Sequence, residues 1–180
     1  QSGYSADAHD LIKQKSFAGF ANYSIAFGKW NANAGVRYEH RETDYYQEGI
    51  HMEEQSPTYD DFIPTVNINW ANKGFSLAFT YRMMTSYPAY YNLSNAISYR
   101  NQYSYNTGNP LLEPSQINIL GLRASYKWFY VSLQYQRIKN NIANITIPYN
   151  EETHPGVLLF TAANLATYNG YSLNLVASPQ

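Results

Sequence analysis

The sequence predicts an all-β chain: an antiparallel meander of about eight long strands, forming a segment of a larger transmembrane β-barrel. Three observations predict it. Apolar and polar residues alternate over runs of about 8–12 residues, longer than the ~5–6 of ordinary strands and matched to the ~9–11 that cross a bilayer at a tilt. Four short connections, Gly28-Lys29-Trp30-Asn31, Ala71-Asn72-Lys73-Gly74, Lys127-Trp128 and Asn169-Gly170, are each bracketed by aromatic residues. Three long connections, residues 43–61, 83–114 and 140–156, lie between them. Outer-membrane barrels are connected this way, with tight periplasmic turns and long outer loops.

The first strand runs from Ser16, with Phe17, Gly19, Ala21, Tyr23, Ile25 and Phe27 on one face. After the first turn, Ala32, Ala34, Val36 and Tyr38 form an apolar face opposite Asn33, Arg37, Glu39 and Arg41. The third strand sets Phe62, Pro64, Val66, Ile68 and Trp70 against Thr65, Asn67 and Asn69. The fourth sets Phe75, Leu77, Phe79 and Tyr81 against Ser76, Thr80 and Arg82. The fifth, about 116–126, places Leu120, Leu122, Ala124 and Tyr126 opposite Arg123 and Ser125. In the sixth, Phe129, Val131, Leu133 and Tyr135 oppose Ser132, Gln134 and Gln136. A seventh, about 157–168, is apolar on both faces at its start. The eighth alternates Tyr171, Leu173 and Leu175 with Ser172 and Asn174. Residues 1–15 read as an irregular lead-in, 16–177 as the barrel segment without a plug domain, and 178–180 as a truncated end. Both ends read as cut from a longer protein.

None of the apolar faces carries a charge, as expected where a lipid-facing Arg or Lys costs ~2–4 kcal/mol at midplane. Aromatic rings at strand ends suit a membrane interface, where one edge is apolar and the other wet. Those beside the four turns would form one girdle, and Phe17, Tyr38, Tyr81 and Tyr135 the other. Cross-strand aromatic packing in a soluble sheet is the competing account.

Only 14% of residues are charged, and 19 are tyrosine. A net charge of −1 provides no basic field for nucleic acid. The absence of cysteine excludes disulfides and thiolate metal sites. No apolar stretch reaches the ~18 residues of a membrane helix, which says nothing about barrel strands. His51 with Glu53 and Glu54 lacks metal-ligand spacing, and His9, His40 and His154 are scattered. No nucleophile elbow or phosphate-binding glycine loop is present. Enzymatic activity, cofactor and metal are therefore not expected. Acidic residues cluster over 39–61, at Glu39, Glu42, Asp44, Glu48, Glu53, Glu54, Asp60 and Asp61, and read as a solvated loop.

The segment Tyr81-Arg82-Met83-Met84-Thr85-Ser86-Tyr87-Pro88-Ala89-Tyr90-Tyr91-Asn92-Leu93, closed by Gly108-Asn109-Pro110-Leu111-Leu112-Glu113-Pro114, resembles the TonB-dependent receptor barrels. It is most similar to the outer-membrane protein β-barrel family common in Bacteroidetes. Gly35-Val36-Arg37-Tyr38-Glu39, Phe62-Ile63-Pro64 and Asn164-Leu165 are similar to other strand signatures of that family, in its order, over about residues 16–176. Glu113-Pro114-Ser115 departs from the family's Lys-Pro-Glu at one loop position. The prolines hold Asn109 and Glu113 extended, and Gly108 permits a turn, which stiffens the return into the fifth strand.

The resemblance implies an outer-membrane receptor that takes up a siderophore, a cobalamin or a glycan. Its implied partners are the outer-membrane lipid, an N-terminal plug, the remaining strands of a 22-stranded barrel, and the TonB complex acting through the plug. The alternatives are a soluble β-sandwich carbohydrate-binding module and a passive porin-like barrel. Tyr87, Tyr90, Tyr91, Tyr99, Tyr103 and Tyr105 form the candidate ligand-contacting loop, because phenols stack on and hydrogen-bond to sugars and siderophores; packing of Tyr-rich loops against one another is the competing account. In isolation the segment is expected to curl or self-associate, since its apolar stripe and sheet edges would be bare.

Overall fold

A computed structural model of the chain describes residues 10–94 and 96–178. In chain order it contains β1 (Asp10–Phe27), β2 (Trp30–Gln47), β3 (Ile50–His51), a 3-10 turn (Glu53–Gln55), β4 (Thr58–Asn72), β5 (Phe75–Ser86), α1 (Tyr90–Leu93), β6 (Ser98–Asn101), β7 (Ser104–Asn106), β8 (Ser115–Tyr126), β9 (Phe129–Lys139), β10 (Asn141–Asn150), β11 (His154–Leu165) and β12 (Tyr168–Ala177). The main sheet has the order β1-β2-β4-β5-β8-β9-β12, with β3 added to β2, and all its pairs are antiparallel. It is open, with β1 and β12 at its edges. A second sheet, β10-β11-β7-β6, is built from the connections, and its β11–β7 pair is parallel.

Three tight hairpins are as expected, at Gly28-Lys29, Lys73-Gly74 and Lys127-Trp128. Lys73 (φ 47°) and Gly74 (φ 80°) both adopt the left-handed conformation that a two-residue hairpin twisted like its strands requires. The fourth expected hairpin does not exist. Asn169 and Gly170 lie inside β12, opposite Arg137 and Gln136, so the ladder runs straight through them. Residues 157–165 belong to β11, between β10 and β7 in the second sheet, which explains why their apolar character is two-sided. The main sheet therefore has seven long strands plus the two-residue β3.

The lead-in also differs. β1 starts at Asp10, because residues 10–15 pair with Gln47 to Glu42 of β2 although their side chains carry no clean period. The rest of the expected lead-in, and residues 179–180, lie outside the described residues. The expected loop 43–61 is mostly strand: β2 continues to Gln47 and β4 begins at Thr58.

Register places the predicted apolar faces on one side of the sheet. Ala32, Ala34 and Val36 oppose Ile68, Val66 and Pro64, and Leu122 lies between Phe79 and Leu133. Along the tight-turn edge, Phe27, Trp30, Trp70, Phe75 and Tyr126 form a continuous aromatic chain with centroid spacings of 6.5, 6.2, 5.5 and 6.3 Å. Toward the loop edge, Tyr38 packs on Phe62 at 5.0 Å and Tyr135 on Tyr171 at 5.1 Å. Two aromatic rows bounding an apolar band are the outer-surface signature of a membrane barrel. This face is called outward below, and the opposite one the lumen face.

The outer row is further organised by its hydroxyls. Tyr38 donates to Asp60 Oδ1 at 2.6 Å, Tyr81 to Asn118 Oδ1 at 2.9 Å and Tyr135 to Asn169 Oδ1 at 2.8 Å. In each case the acceptor lies on the next main-sheet strand, two residues closer to the loops than the residue directly opposite the tyrosine.

Candidate functional site

The lumen face carries its charge at the loop edge, where β2 and β4 extend past the aromatic rows. Glu39 and Asp61 are opposite one another and both buried. Neighbours on the same side of β2 neutralise Glu39: Arg41 Nη2 reaches Oε1 at 2.9 Å and Arg37 Nη2 reaches Oε2 at 3.2 Å. The Arg41 hydrogen bond, more than that of Arg37, holds the Glu39 carboxyl below its ordinary value against the opposing effect of burial. Period-2 alternation brings 37, 39 and 41 to one face, so local sequence is sufficient to build this triad.

The connection after β5 folds back onto it. Tyr87 donates to Asp61 Oδ2 at 2.6 Å, and the Arg41 guanidinium lies 3.8 Å from the Tyr87 ring centroid. Burial and the Asp61 hydrogen bond push the Tyr87 hydroxyl far above its ordinary value, which keeps it a proton donor. Gln14 of β1 ties the group together: its Oε1 accepts from Arg41 Nη1 at 3.2 Å and from Tyr90 at 2.9 Å, while its Nε2 donates to Thr43 Oγ1 at 3.1 Å. Among the described residues no group of His, Cys, Asp and Glu side chains is arranged to hold a metal ion.

The six candidate tyrosines separate into three kinds. Tyr87 and Tyr90 belong to this network. Tyr99 and Tyr105 pack together at 6.0 Å, and Tyr105 stacks on Tyr149 of β10 at 4.8 Å, so these rings hold the second sheet together. Tyr91 and Tyr103 point to solvent, 78% and 64% exposed. Tyr91 borders a cavity of about 510 Å³ whose polar lining includes Asn92, Arg100, Asn106 and Asn144. The sequence marks Gln14 only weakly, as one amide in a stretch without period. The acidic cluster reads as a solvated loop, yet among its described members Glu39 and Asp61 are buried.

Gly108 to Pro114 anchors the loops above the site. Backbone N–H groups of Gly108 and Asn109 donate to Ser94 and Asn92 carbonyls, and a Cβ on Gly108 would lie 2.3 Å from the Ser94 oxygen. Leu112, 1% exposed, packs with Leu93 and Ala162, joined by Ile12 and Ile142. Asn164 clamps Glu113 from both sides: Oδ1 accepts from the Glu113 N–H at 2.8 Å, and Nδ2 donates to the Glu113 and Asn140 carbonyls, each at 2.9 Å.

Solved structures similar to the chain include a double mutant of the Serratia marcescens hemophore receptor HasR in complex with its hemophore HasA and heme, at TM-score 0.66 and 12% identity, covering 90% of this chain and 31% of that one. The siderophore receptor PirA from Pseudomonas aeruginosa matches at TM-score 0.49 and 13% identity, over 92% of this chain and 39% of that one. The ferric enterobactin receptor PfeA from Pseudomonas aeruginosa, as a Q482A mutant in complex with enterobactin, matches at TM-score 0.49 and 14% identity, over 92% and 33%. The chain thus spans about a third of the length of these receptors. At this identity the HasR likeness establishes the fold. No curated protein matches the sequence. Residues 5–180 match the model of the outer membrane protein beta-barrel family, and the chain belongs to that family.

Proposed function

We propose that the chain forms part of the wall and outer loops of a TonB-dependent receptor that imports a scarce nutrient across the outer membrane. One observation carries the reading: the two faces of the sheet have opposite chemistry at the loop edge. The outward face is apolar between two aromatic rows, whereas the lumen face ends in the Glu39–Arg41–Tyr87–Asp61 network, its two carboxylates buried, beneath folded loops. Fixed donors and acceptors at the mouth orient a ligand without reorganisation cost, as a receptor requires.

The substrate is a compact ligand rich in oxygen acceptors and flat groups, in the range of a ferric siderophore, a cobalamin or an oligosaccharide. The exposed ring of Tyr91 and the amides around its cavity offer stacking and hydrogen bonding of the kind such ligands use. On the lumen face Phe20 is 85% exposed opposite Arg37, a contact suited to a plug segment inside the barrel. TonB would act through that plug.

A strain lacking the full-length protein should lose uptake of one of these three ligand classes and regain it on complementation only when TonB is present. Uptake that persists without TonB would overturn the receptor reading in favour of a passive barrel.

A further inference from the structure

Just beyond the outer aromatic row, the outward face of β8, β9 and β12 carries a group of donors that hydrogen-bond to no acceptor among the described residues. Arg137 is exposed at the centre, with Asn118 opposite it on β8 and Asn169 opposite it on β12. The carbonyl oxygens of both amides are already occupied by hydroxyls from the row below, Asn118 by Tyr81 and Asn169 by Tyr135. Each amide therefore has its NH2 left to donate on either side of the guanidinium. Strands ~4.8 Å apart place the two amides within ~10 Å of each other, with the cation between them. Lys139, two residues further toward the loops, borders a pocket it shares with Asp60, Asp61 and Glu113 and lies outside this group. Among the described residues Arg137 has no carboxylate within ion-pair distance.

We propose that this group binds the phosphate of an outer-leaflet lipid. A guanidinium flanked by amide donors matches a phosphate, which accepts several charge-assisted hydrogen bonds. One pleat above an aromatic row is headgroup depth, and Arg reaches there readily with its stem on apolar surface. Acyl chains have their own surface directly below, where Leu133, Tyr171 and Leu173 are exposed. The chain contains its own contrast: the same tyrosine step on β2 and β4 ends in Asp60, paired with His40 and next to Glu42, which makes that part of the rim acidic. Phosphate is thereby favoured at β8–β9–β12 over that acidic stretch.

The test uses the full-length protein, stripped of lipid in mild detergent and incubated with bis-phosphorylated lipid A, its dephosphorylated form, or inorganic phosphate. Native mass spectrometry then counts retained lipid. Wild type should retain phosphorylated lipid A, and Arg137→Gln should lose it about tenfold, the effect of one charge-assisted hydrogen bond. Arg82→Gln, on the lumen face, should leave retention unchanged. If Arg137→Gln fails the heat-modifiability test for a folded barrel, the near-isosteric Asn118→Asp and Asn169→Asp replace it and should repel the phosphate to the same degree. Equal retention of both lipid forms, displacement of the lipid by inorganic phosphate, or wild-type retention in the folded variants would overturn the assignment.

Discussion

The side-chain amide of Asn164 pairs with both backbone groups of Glu113, accepting from its N–H at 2.8 Å and donating to its carbonyl at 2.9 Å. One side chain thus does the work of a strand neighbour for a residue next to Pro114, which lacks an N–H of its own. Replacing Asn164 by Ala removes these bonds and the one to Asn140, at a cost of about 2 kcal/mol for partly exposed groups. Hydrogen exchange at the Glu113 amide should then speed by roughly 30-fold. An unchanged exchange rate would show that the clamp is dispensable.

Gly108 tests the same loop from its other end. Its missing Cβ leaves room for the carbonyls of Ser94 and Asn92, which are backbone atoms that cannot rotate away. Gly108→Ala should cost about 1–3 kcal/mol, in the range of other forced overpacking. Limited proteolysis of the full-length barrel should show new cleavage near residues 94–110, with the membrane-embedded strands still protected. Wild-type resistance would refute the close approach.

The two faces can be separated by neighbouring substitutions on β9. Leu133 faces outward between Leu122 and Leu173, and Gln134 faces the lumen. Leu133→Arg should destabilise the barrel by ~2–4 kcal/mol, whereas Gln134→Arg should change stability by less than ~1 kcal/mol. Urea unfolding in lipid vesicles measures both, and equal losses would contradict the assignment of faces.

Acid should loosen the mouth before the band. A carboxyl held below its unfolded value contributes stability that is present above that value, ~4.3 for Glu, and is lost as pH falls through the folded one. Glu39, lowered chiefly by Arg41, is such a group. His40 has the opposite sign: Asp60 and then Glu42 raise it, so its contribution is complete below ~6.5 and fades as pH rises through the folded value. Hydrogen exchange of residues 39–45 should therefore accelerate on acidification below about pH 4, and Glu39→Gln should remove most of that dependence. A variant with the wild-type pH profile would exclude Glu39 as the responsible group.

Much of the wall was legible because period 2 and the cost of charge in lipid act locally. Ala32 to Tyr38, Phe75 to Tyr81 and Phe129 to Tyr135 face as their alternation requires. The misreading at Asn169-Gly170 has a physical origin. That dipeptide suits a hairpin turn equally well, and only pairing with β9, some thirty residues earlier, commits it to a strand. β11 was ambiguous for a related reason: its second partner, β7, arrives from a distant loop. Most of the site was hidden in the same way. Arg37, Glu39 and Arg41 could be placed on one face from sequence, but Tyr87 reaches Asp61 and Tyr90 reaches Gln14 through loop folding that no local pattern encodes.

The three tyrosine hydroxyl bonds occur on β2–β4, β5–β8 and β9–β12, and these are the pairs joined by long connections rather than by tight turns. A two-residue turn pins the alignment of its own strands, whereas a long loop imposes none, and a one-residue slip would turn every side chain to the wrong face. Each phenol latches one such seam from within the wall. The loops above are thereby released from any duty of alignment, free to lengthen, shorten or change composition while the wall beneath keeps its registration.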